Sequence, residues 1–259
     1  MVKGIDHIVI AVNDLDTAVA SYSQLGFTVV RGGRHAGLGT HNALIAFADG
    51  AYFELIAFIP PLPPSRHWWY SALAQGGGLV DFCAQSDNLE GDAAAFRKAG
   101  AAIGAPFAME RVRPDGYTVC WVLATTEGAS RGVVPFFIRD TTPRDKRVPR
   151  DRTHSNGVVG VRSLALAVSD PPAIAEIYAR ALAMPGSPIE REDLGASGIR
   201  CMIGPHELQF LGPKGQADSI ADRLRMRGPS PFEVTLNLGG GKPGQLDPTA
   251  THGARIILA

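Results

Sequence analysis

Residues 6–15 of this 259-residue chain read DHIVIAVNDL, an apolar, β-branched stretch that ends in a polar turn. The stretch predicts a strand, and Asn13 or Asp14 can cap the helix that follows it. Similar stretches recur at residues 81–89 (DFCAQSDNL) and 163–171 (SLALAVSDP). Aligned on the turn, the three copies place His7, Asp81 and Ser163 at one equivalent position. A unit that recurs along a chain predicts a repeat architecture.

Each copy opens a longer unit in which a strand, a helix and three further strands follow one another. The first unit has its strands at 5–12, 27–31, 42–48 and 51–58, with an Asp49-Gly50 hairpin turn between the last two. The second unit has strands at 79–85, 106–112, 118–124 and 133–138 and a helix at 92–98. The third has strands at 161–168, 188–192, 199–203 and 207–211 and a helix at 171–182. A degenerate fourth unit keeps a helix at 217–227 and strands at 232–238 and 255–258.

These units group into two pairs, residues 1–143 and residues 155–259. Between the pairs lies the segment 141–154, TTPRDKRVPRDRTH, which is charged and contains proline. Such a composition predicts a solvated linker with a cationic surface. We expect the functional site in the first pair.

Composition excludes several classes of function. The chain has 25 acidic and 25 basic side chains, which gives no electrostatic footprint for nucleic acid or a membrane surface. Three widely separated cysteines in apolar runs predict buried free thiols and a reducing, cytoplasmic location. The N-terminal residues lack the pattern of a signal peptide, and no apolar run approaches the ~20 residues of a spanning helix.

Several motifs together resemble one known family. They are residues 4–12 (GIDHIVIAV), 35–45 (HAGLGTHNALI), 52–58 (YFELIAF), 113–116 (RPDG), 135–138 (PFFI) and 154–157 (HSNG). On these the chain resembles the vicinal oxygen chelate superfamily, and within it the glyoxalase-like branch. The superfamily includes glyoxalase I, extradiol dioxygenases, methylmalonyl-CoA epimerase and bleomycin-resistance proteins. The resemblance implies an α+β fold of tandem βαβββ modules, whose mixed, curved sheets form half-open barrels.

The resemblance also implies a metal site. Superfamily ligands lie on the first and last strands of a unit, where this chain has His7 and Glu54. An imidazole and a carboxylate suit a divalent metal such as Ni, Mn, Fe, Co or Zn. The alternative is that His7 is a core histidine and that Glu54 pairs with an arginine. In the second unit Asp81 could be a ligand, a general base or a salt-bridge partner, and residues 135–138 offer no carboxylate.

Five further residues are candidates for substrate binding. Arg111 and Arg113, two positions apart on a predicted strand, would share a face and bind an anionic group, unless that face is solvated. Trp121 lies on the facing strand. His41 could face the same cavity or the surface, and His154 could fold over the cavity mouth or belong to a structural turn. Trp68, Trp69 and Tyr70 are candidates for a lid or an interface patch.

The second pair lacks the ligand set. Ser163 replaces histidine, Gln209 or Glu207 stands near the last-strand position, and Glu233 lies on the first strand of the fourth unit. The two histidines and the glutamate that extradiol dioxygenases use in their second half are absent, so ring cleavage is excluded.

The sequence therefore predicts a metal-dependent lyase or isomerase that chelates a small oxygenated metabolite through two oxygens. Glu54 or Asp81 would be the catalytic base. The alternative is a metal-free binding protein of the bleomycin-resistance type. In either case the expected partner is a small molecule, neutral or anionic, and the chain is expected to be a monomer or a homodimer.

Overall fold

The computed structural model describes residues 1–35, 37, 39–60, 67–215 and 219–259. The strands of the first half are β1 (Val2–Ala11), β2 (Val30–His35), β3 (Thr40–Ala46), β4 (Tyr52–Phe58), β5 (Gly78–Ser86), β6 (Phe107–Val112), β7 (Thr118–Ala124) and β8 (Phe136–Asp140). Those of the second half are β9 (Val158–Ala167), β10 (Ser187–Arg191), β11 (Ala196–Ile203), β12 (His206–Pro213), β13 (Ser230–Leu238), β14 (Gly244–Gln245) and β15 (Arg255–Leu258). The helices are α1 (Leu15–Gln24), α2 (Trp68–Leu73), α3 (Leu89–Lys98), α4 (Arg144–Arg147), α5 (Pro171–Leu182) and α6 (Ser219–Arg227).

The repeat is visible in how its helices begin. Asp14, Asn88 and Asp170 are the N-caps of α1, α3 and α5, and each side chain accepts a hydrogen bond from a backbone N–H three residues ahead. Since His7, Asp81 and Ser163 each precede a cap by the same interval, they are equivalent positions in the three units. The predicted order of elements and the α+β class are confirmed. Residues 36 and 38 of the quoted motif and residues 217 and 218 of the predicted last helix lie outside the described residues.

The first eight strands close into a barrel in the order β1-β4-β3-β2-β6-β7-β8-β5. Strands β1 and β4 pair in parallel, as do β5 and β8, which repeats one module on each side of the barrel. Strands β1 and β5 join the two modules on one side. On the other side β2 meets β6, and within the described residues the contact is two residue pairs, Arg34 with Val112 and His35 with Arg111. This short seam sets His35 and Arg111 side by side.

The second half forms a seven-stranded sheet in the order β10-β11-β12-β9-β13-β15-β14. Its helix α5 packs against α3 of the barrel, where the rings of Tyr178 and Phe96 meet edge to face and Tyr178 donates a hydrogen bond to the Val133 carbonyl. The two halves therefore share one apolar core between sheet and barrel. A separate apolar cluster lies inside the barrel, with members such as Val9, Cys83 and Trp121.

The prediction that residues 141–154 form a solvated linker is wrong in part. Arg147 is buried and binds Asp6 and Asp140, and Arg144 also reaches Asp6. The Arg147 guanidinium can be buried because it meets the ionised carboxylate of Asp6, a partner that composition alone does not reveal. Arg147 and Val148 of the segment therefore pack on the barrel, whereas its other residues are exposed or half-buried.

All three thiols are free, and Cys120 is only half-buried, contrary to the expectation of full burial. Over the described residues, no helix combines the length and the apolar character that crossing a membrane requires.

Candidate functional site

The barrel encloses a cavity of about 60 Å³. It has an aromatic wall and a cluster of ionisable groups on its β1, β2 and β4 side. Its lining residues are His7, His35, Tyr52, Glu54, Ile56, Trp69, Met109, Arg111, Trp121, Leu123, Phe136, Ile138 and Arg147. Four residues predicted for a site from the sequence, His7, Glu54, Arg111 and Trp121, are therefore brought together.

The orientation of His7 is fixed by the residue before it. Nδ1 of His7 lies 2.7 Å from Oδ1 of Asp6. Burial alone would raise the pKa of Asp6, but Arg147, Arg144 and His7 hold that pKa well below its ordinary value. Because an ionised carboxylate only accepts hydrogen bonds, the Nδ1 atom carries the proton. In the neutral ring, the Nε2 atom then carries the lone pair, as in the histidine of a carboxylate–histidine–metal arrangement.

That lone pair faces Glu54. Nε2 of His7 lies 3.4 Å from Oε2 of Glu54, and both side chains are buried. Two ligand atoms that each lie about 2.1 Å from one ion, at the tetrahedral angle, are separated by about 3.4 Å. The donor set of His7 and Glu54 therefore fits a shared divalent metal. The same distance also fits a long ion pair with a protonated His7.

The second oxygen of Glu54 is held from the other side. Asn42 donates from Nδ2 to Oε1 of Glu54 at 2.6 Å, and Nε2 of His35 lies 3.5 Å from the same oxygen. The Nδ1 atom of His35 is 2.9 Å from Oγ1 of Thr40. Burial raises the pKa of Glu54, but His7, His35 and the Asn42 amide outweigh burial, so the pKa lies below its ordinary value. The carboxylate is therefore ionised and ready to bind a cation.

A second group of potential ligand atoms lies on the other face of His7. Atoms of Asp6, His7 and Cys83 all fall within 4.8 Å of one another. However, Arg147 donates to both oxygens of Asp6 at 3.0 Å, and Arg144 binds one of them as well. Burial also raises the pKa of the Cys83 thiol well above its ordinary value, which keeps the sulfur protonated. This group is better suited to hold His7 in place than to bind a metal.

Arg111 brings a cation to the cavity from the seam of the barrel. It is 3% exposed, Nη1 donates to Oδ1 of Asn42 at 3.4 Å, and Nη2 donates to the Arg147 carbonyl at 2.9 Å. The buried Nε–H has no acceptor among the described residues. A buried donor without an acceptor is costly, and a ligand oxygen would relieve that cost.

Asp81 is buried but does not line the cavity. Trp69 of α2 donates from Nε1 to Oδ2 of Asp81 at 3.1 Å, and the Phe82 amide donates to Oδ1 at 2.9 Å. Burial raises the pKa of Asp81 to about 8. The indole of Trp69, which does line the cavity, therefore separates this carboxyl from the His7–Glu54 pair. Of the two residues predicted as a catalytic base, Glu54 alone faces the cavity.

Three other predicted site residues lie outside the cavity. His41 faces α1, near Asp14 and Asp16, because its neighbour Asn42 takes the inward position on β3. His154 accepts a hydrogen bond from the Thr28 amide at Nδ1 and donates from Nε2 to the Ala46 carbonyl, which anchors the chain between the two halves.

Arg113 does not share the inward face of Arg111. Strand β6 ends at Val112, so the alternation of a strand does not extend to Arg113. Its guanidinium binds Asp115 at 2.7 Å and the Lys146 carbonyl at 3.1 Å.

In the second half, the equivalent positions are filled by an ion-pair network. The parallel pair β9–β12 sets Gln209 beside Ala165, just as β1–β4 sets Glu54 beside Val9. Arg191 donates to Gln209 at 3.0 Å and to Glu233 at 2.8 Å, and Arg255 binds the other oxygen of Glu233 at 2.6 Å. The carboxylate of Glu233 is thus neutralised by arginines.

Sequence reasoning missed four residues of the site: His35, Asn42, Tyr52 and Arg147. The predicted strand ends at Arg31, but β2 continues to His35. Tyr52 stacks on His7 with ring centroids 4.8 Å apart and accepts a hydrogen bond from Arg147 at 2.6 Å. A signal was available for Tyr52, which stands two positions before Glu54 on β4 and so shares its face.

Comparisons with known proteins agree with this architecture. A family model described as a glyoxalase-like domain matches residues 5–182. Curated proteins give no match to the sequence.

Among solved structures, a hypothetical protein from Staphylococcus aureus superposes with a TM-score of 0.71 at 15% identity, covering 99% of this chain and 98% of that one. A mutant of 4-hydroxymandelate synthase from Streptomyces coelicolor gives a TM-score of 0.63 at 15% identity, covering 92% and 71%. A fusion of a xylose isomerase-like TIM barrel with 4-hydroxyphenylpyruvate dioxygenase gives a TM-score of 0.54 at 14% identity, covering 93% of this chain and 37% of that one. At these identities the similarity shows a shared fold.

Proposed function

Because this chain belongs to the glyoxalase-like domain family of the vicinal oxygen chelate superfamily, we propose that it is a metal-dependent lyase or isomerase. Its substrate is a small oxygenated metabolite that enters the barrel cavity and is chelated through two oxygens. The metal ligands are His7 and Glu54. The cytoplasmic location expected from the sequence is part of this proposal.

The observation that carries the proposal is the placement of Nε2 of His7 opposite Oε2 of Glu54 at 3.4 Å, with Nδ1 of His7 committed to Asp6. An imidazole whose far nitrogen is fixed by a carboxylate is the arrangement that metal-binding histidines adopt. Burial of an ionised carboxylate beside that imidazole is costly unless a cation or a proton neutralises it.

The remaining side chains suit proton transfer next to a carbonyl. When bound, a divalent ion supplies Lewis-acid stabilisation of the oxyanion that forms as a proton leaves carbon. Glu54 is the base, with Oε1 kept in position by the Asn42 amide. The Nε–H of Arg111, which has no acceptor in the described part of the chain, binds an oxygen of the substrate, and the rings of Trp69, Trp121 and Phe136 exclude water.

The proposal is tested by hydrogen exchange at carbon. We would incubate metal-loaded protein with a panel of 2-oxo acids and 2-oxoaldehydes in D₂O and follow the loss of the proton next to the carbonyl by NMR. We expect metal-dependent exchange in the wild type and in His41→Ala, whose ring lies outside the barrel. Loss of exchange is expected in Glu54→Gln, with folding checked by thermal melts. Exchange that persists in a folded Glu54→Gln variant would contradict the assignment of the base.

One observation favours a second function, metal-free binding of a small molecule. The β5–β8 module contributes Phe136 and Ile138 to the cavity, and its carboxyl Asp81 is closed off by Trp69. A half-polar, half-aromatic cavity suits a binding protein. Ligand-induced thermal shifts that persist in the presence of a chelator, together with absent metal-dependent exchange, would favour that function.

A further inference from the structure

A second, larger cleft lies on the outer side of the barrel seam. Its volume is about 540 Å³, and it lies between strands β2 and β6 and the segment 145–151. The lining includes the six cationic side chains Arg31, Arg111, Arg113, Lys146, Arg147 and Arg150. Among the described residues, the carboxylates Asp115, Asp145 and Asp151 line it as well. Two of the cations are paired with carboxylates outside the lining, Arg31 with Asp16 and Arg147 with Asp6 and Asp140. We call this surface the basic cleft.

The acidic side chains of the basic cleft do not fully neutralise it. Asp115 is paired with Arg113 at 2.7 Å, and Asp145 with Arg150. Asp151 accepts hydrogen bonds from Thr153. Among the described residues, no carboxylate pairs with the Lys146 ammonium, whose Nζ lies 6.0 Å from the centroid of the Tyr117 ring. Clustered cations in a concave surface raise the local concentration of anions.

The basic cleft and the inner cavity have two lining residues in common, which form a shared wall. Arg111 and Arg147 line both spaces. Arg147 is fully committed to Asp6, Asp140 and Tyr52, whereas Arg111 keeps its buried Nε–H without an acceptor. Arg111 is therefore the one group on this shared wall, within the described part of the chain, that awaits a ligand oxygen.

Arg111 also connects the basic cleft to the proposed metal ligands. Its Nη1 reaches Oδ1 of Asn42, and the amide nitrogen of Asn42 reaches Oε1 of Glu54. Gly32, which lines the cleft, leaves room for this contact, since a Cβ at Gly32 would clash with Oδ1 of Asn42 and approach Nη1 of Arg111 to 3.0 Å. The polar contacts thus run without interruption from the cleft to Glu54.

We propose that the basic cleft binds a compact oxyanion group of the substrate, a phosphate or a carboxylate, while the reacting end of the same molecule occupies the inner cavity. This inference rests on the proposed function and narrows its substrate class to elongated anionic metabolites. Guanidinium and ammonium groups around such an oxyanion would bind it through charge-assisted hydrogen bonds. Small neutral oxoaldehydes would leave the cleft unused and bind weakly.

The test uses titration calorimetry of the full chain with inorganic phosphate and, separately, with malonate, at constant ionic strength set with sodium chloride. We expect saturable binding of at least one probe, and the tighter one identifies the group. Lys146→Gln and Arg113→Gln should each weaken that binding by about threefold to tenfold. The matched control is Arg139→Gln, since Arg139 pairs with Glu90 away from the cleft and its loss should leave binding unchanged.

The proposal would be overturned if neither probe bound to the wild type. It would also be overturned if both cleft variants bound the probe as strongly as the wild type does. Metal content measured on the same samples separates this proposal from the one on which it rests. Anion binding to protein that takes up no metal would reject the metal-dependent reaction and retain the cleft. Metal uptake without anion binding would reject the cleft alone.

Discussion

Asp6 and His7 are neighbours in the chain, yet their side chains are hydrogen-bonded to each other, with Oδ1 and Nδ1 2.7 Å apart. Neighbours on a regular strand point to opposite faces. Here the register between β1 and β5 shifts between Ile5 and His7, and such an irregularity re-aims side chains. As a result, one carboxylate reaches the arginines of α4 and the imidazole of His7 together.

This relationship predicts that Asp6→Asn weakens metal binding by about 10-fold to 100-fold, because the amide no longer fixes the tautomer of His7. Metal titration with a competing chelator measures the change. Asp140→Asn is the matched control, since Asp140 also binds Arg147 but is not hydrogen-bonded to His7. Equal effects of the two substitutions would show that metal affinity depends on the arginine contacts rather than on the orientation of His7.

Gly32→Ala should disturb the site without altering a charge. The new Cβ would clash with Oδ1 of Asn42 and push the amide away from Glu54. We expect a loss of about 1–3 kcal/mol in the free energy of unfolding and weaker metal binding. Gly240→Ala is the control, because a Cβ there meets no atom within 4 Å. Chemical denaturation and metal titration of both variants check the prediction, and a neutral Gly32→Ala would contradict it.

Asp81 should make the protein less stable as pH rises. Its pKa is about 8 in the folded state and near 3.8 in the unfolded chain. Between these two pH values the folded state keeps a proton that the unfolded chain loses. The free energy of unfolding is therefore highest below pH ~4 and falls by about 1.4 kcal/mol per pH unit up to pH ~8. In urea denaturation at several pH values, Asp81→Asn should become more stable than wild type by a margin that grows across this window. Glu110→Gln, which removes an exposed carboxylate, is the control for loss of a charge. A constant margin for Asp81→Asn would refute the raised pKa.

His154 should matter for stability and not for the site. It bridges the Thr28 amide and the Ala46 carbonyl, so His154→Ala is expected to cost about 1–3 kcal/mol in the free energy of unfolding. Metal affinity should stay the same once folding is confirmed. His41→Ala, at a partly exposed ring beside α1, should change stability by less than about 0.5 kcal/mol. A His154→Ala variant that folds normally but loses metal would contradict this structural role.

The order of elements follows from local pattern, and four lining residues of the cavity, His7, Glu54, Arg111 and Trp121, were predicted as site residues. The repeated motif located the N-caps of the helices. Aligning the copies on these caps then placed His7 and Asp81 at equivalent strand positions. The positions of His7 and Glu54 then followed from the resemblance to a known superfamily.

The remaining site residues depend on contacts that are distant in sequence. Arg147 lies in a charged segment that is typical of solvent-exposed chain, and only its pairing with Asp6 and Asp140 buries it. His35 follows Gly32 and Gly33, which favours a loop, and pairing with Arg111 across the seam keeps it in β2. Asp81 was placed in the right strand position, but the indole that covers it comes from α2.

The most direct test of the metal site is metal content by inductively coupled plasma mass spectrometry, on protein purified without an affinity tag and reconstituted with Ni, Mn, Fe, Co or Zn. The account predicts about one equivalent per chain in the wild type and in His41→Ala, and its loss in His7→Ala and Glu54→Gln. Absence of bound metal after reconstitution, or metal retained in both site variants, would contradict the assignment of His7 and Glu54 as ligands.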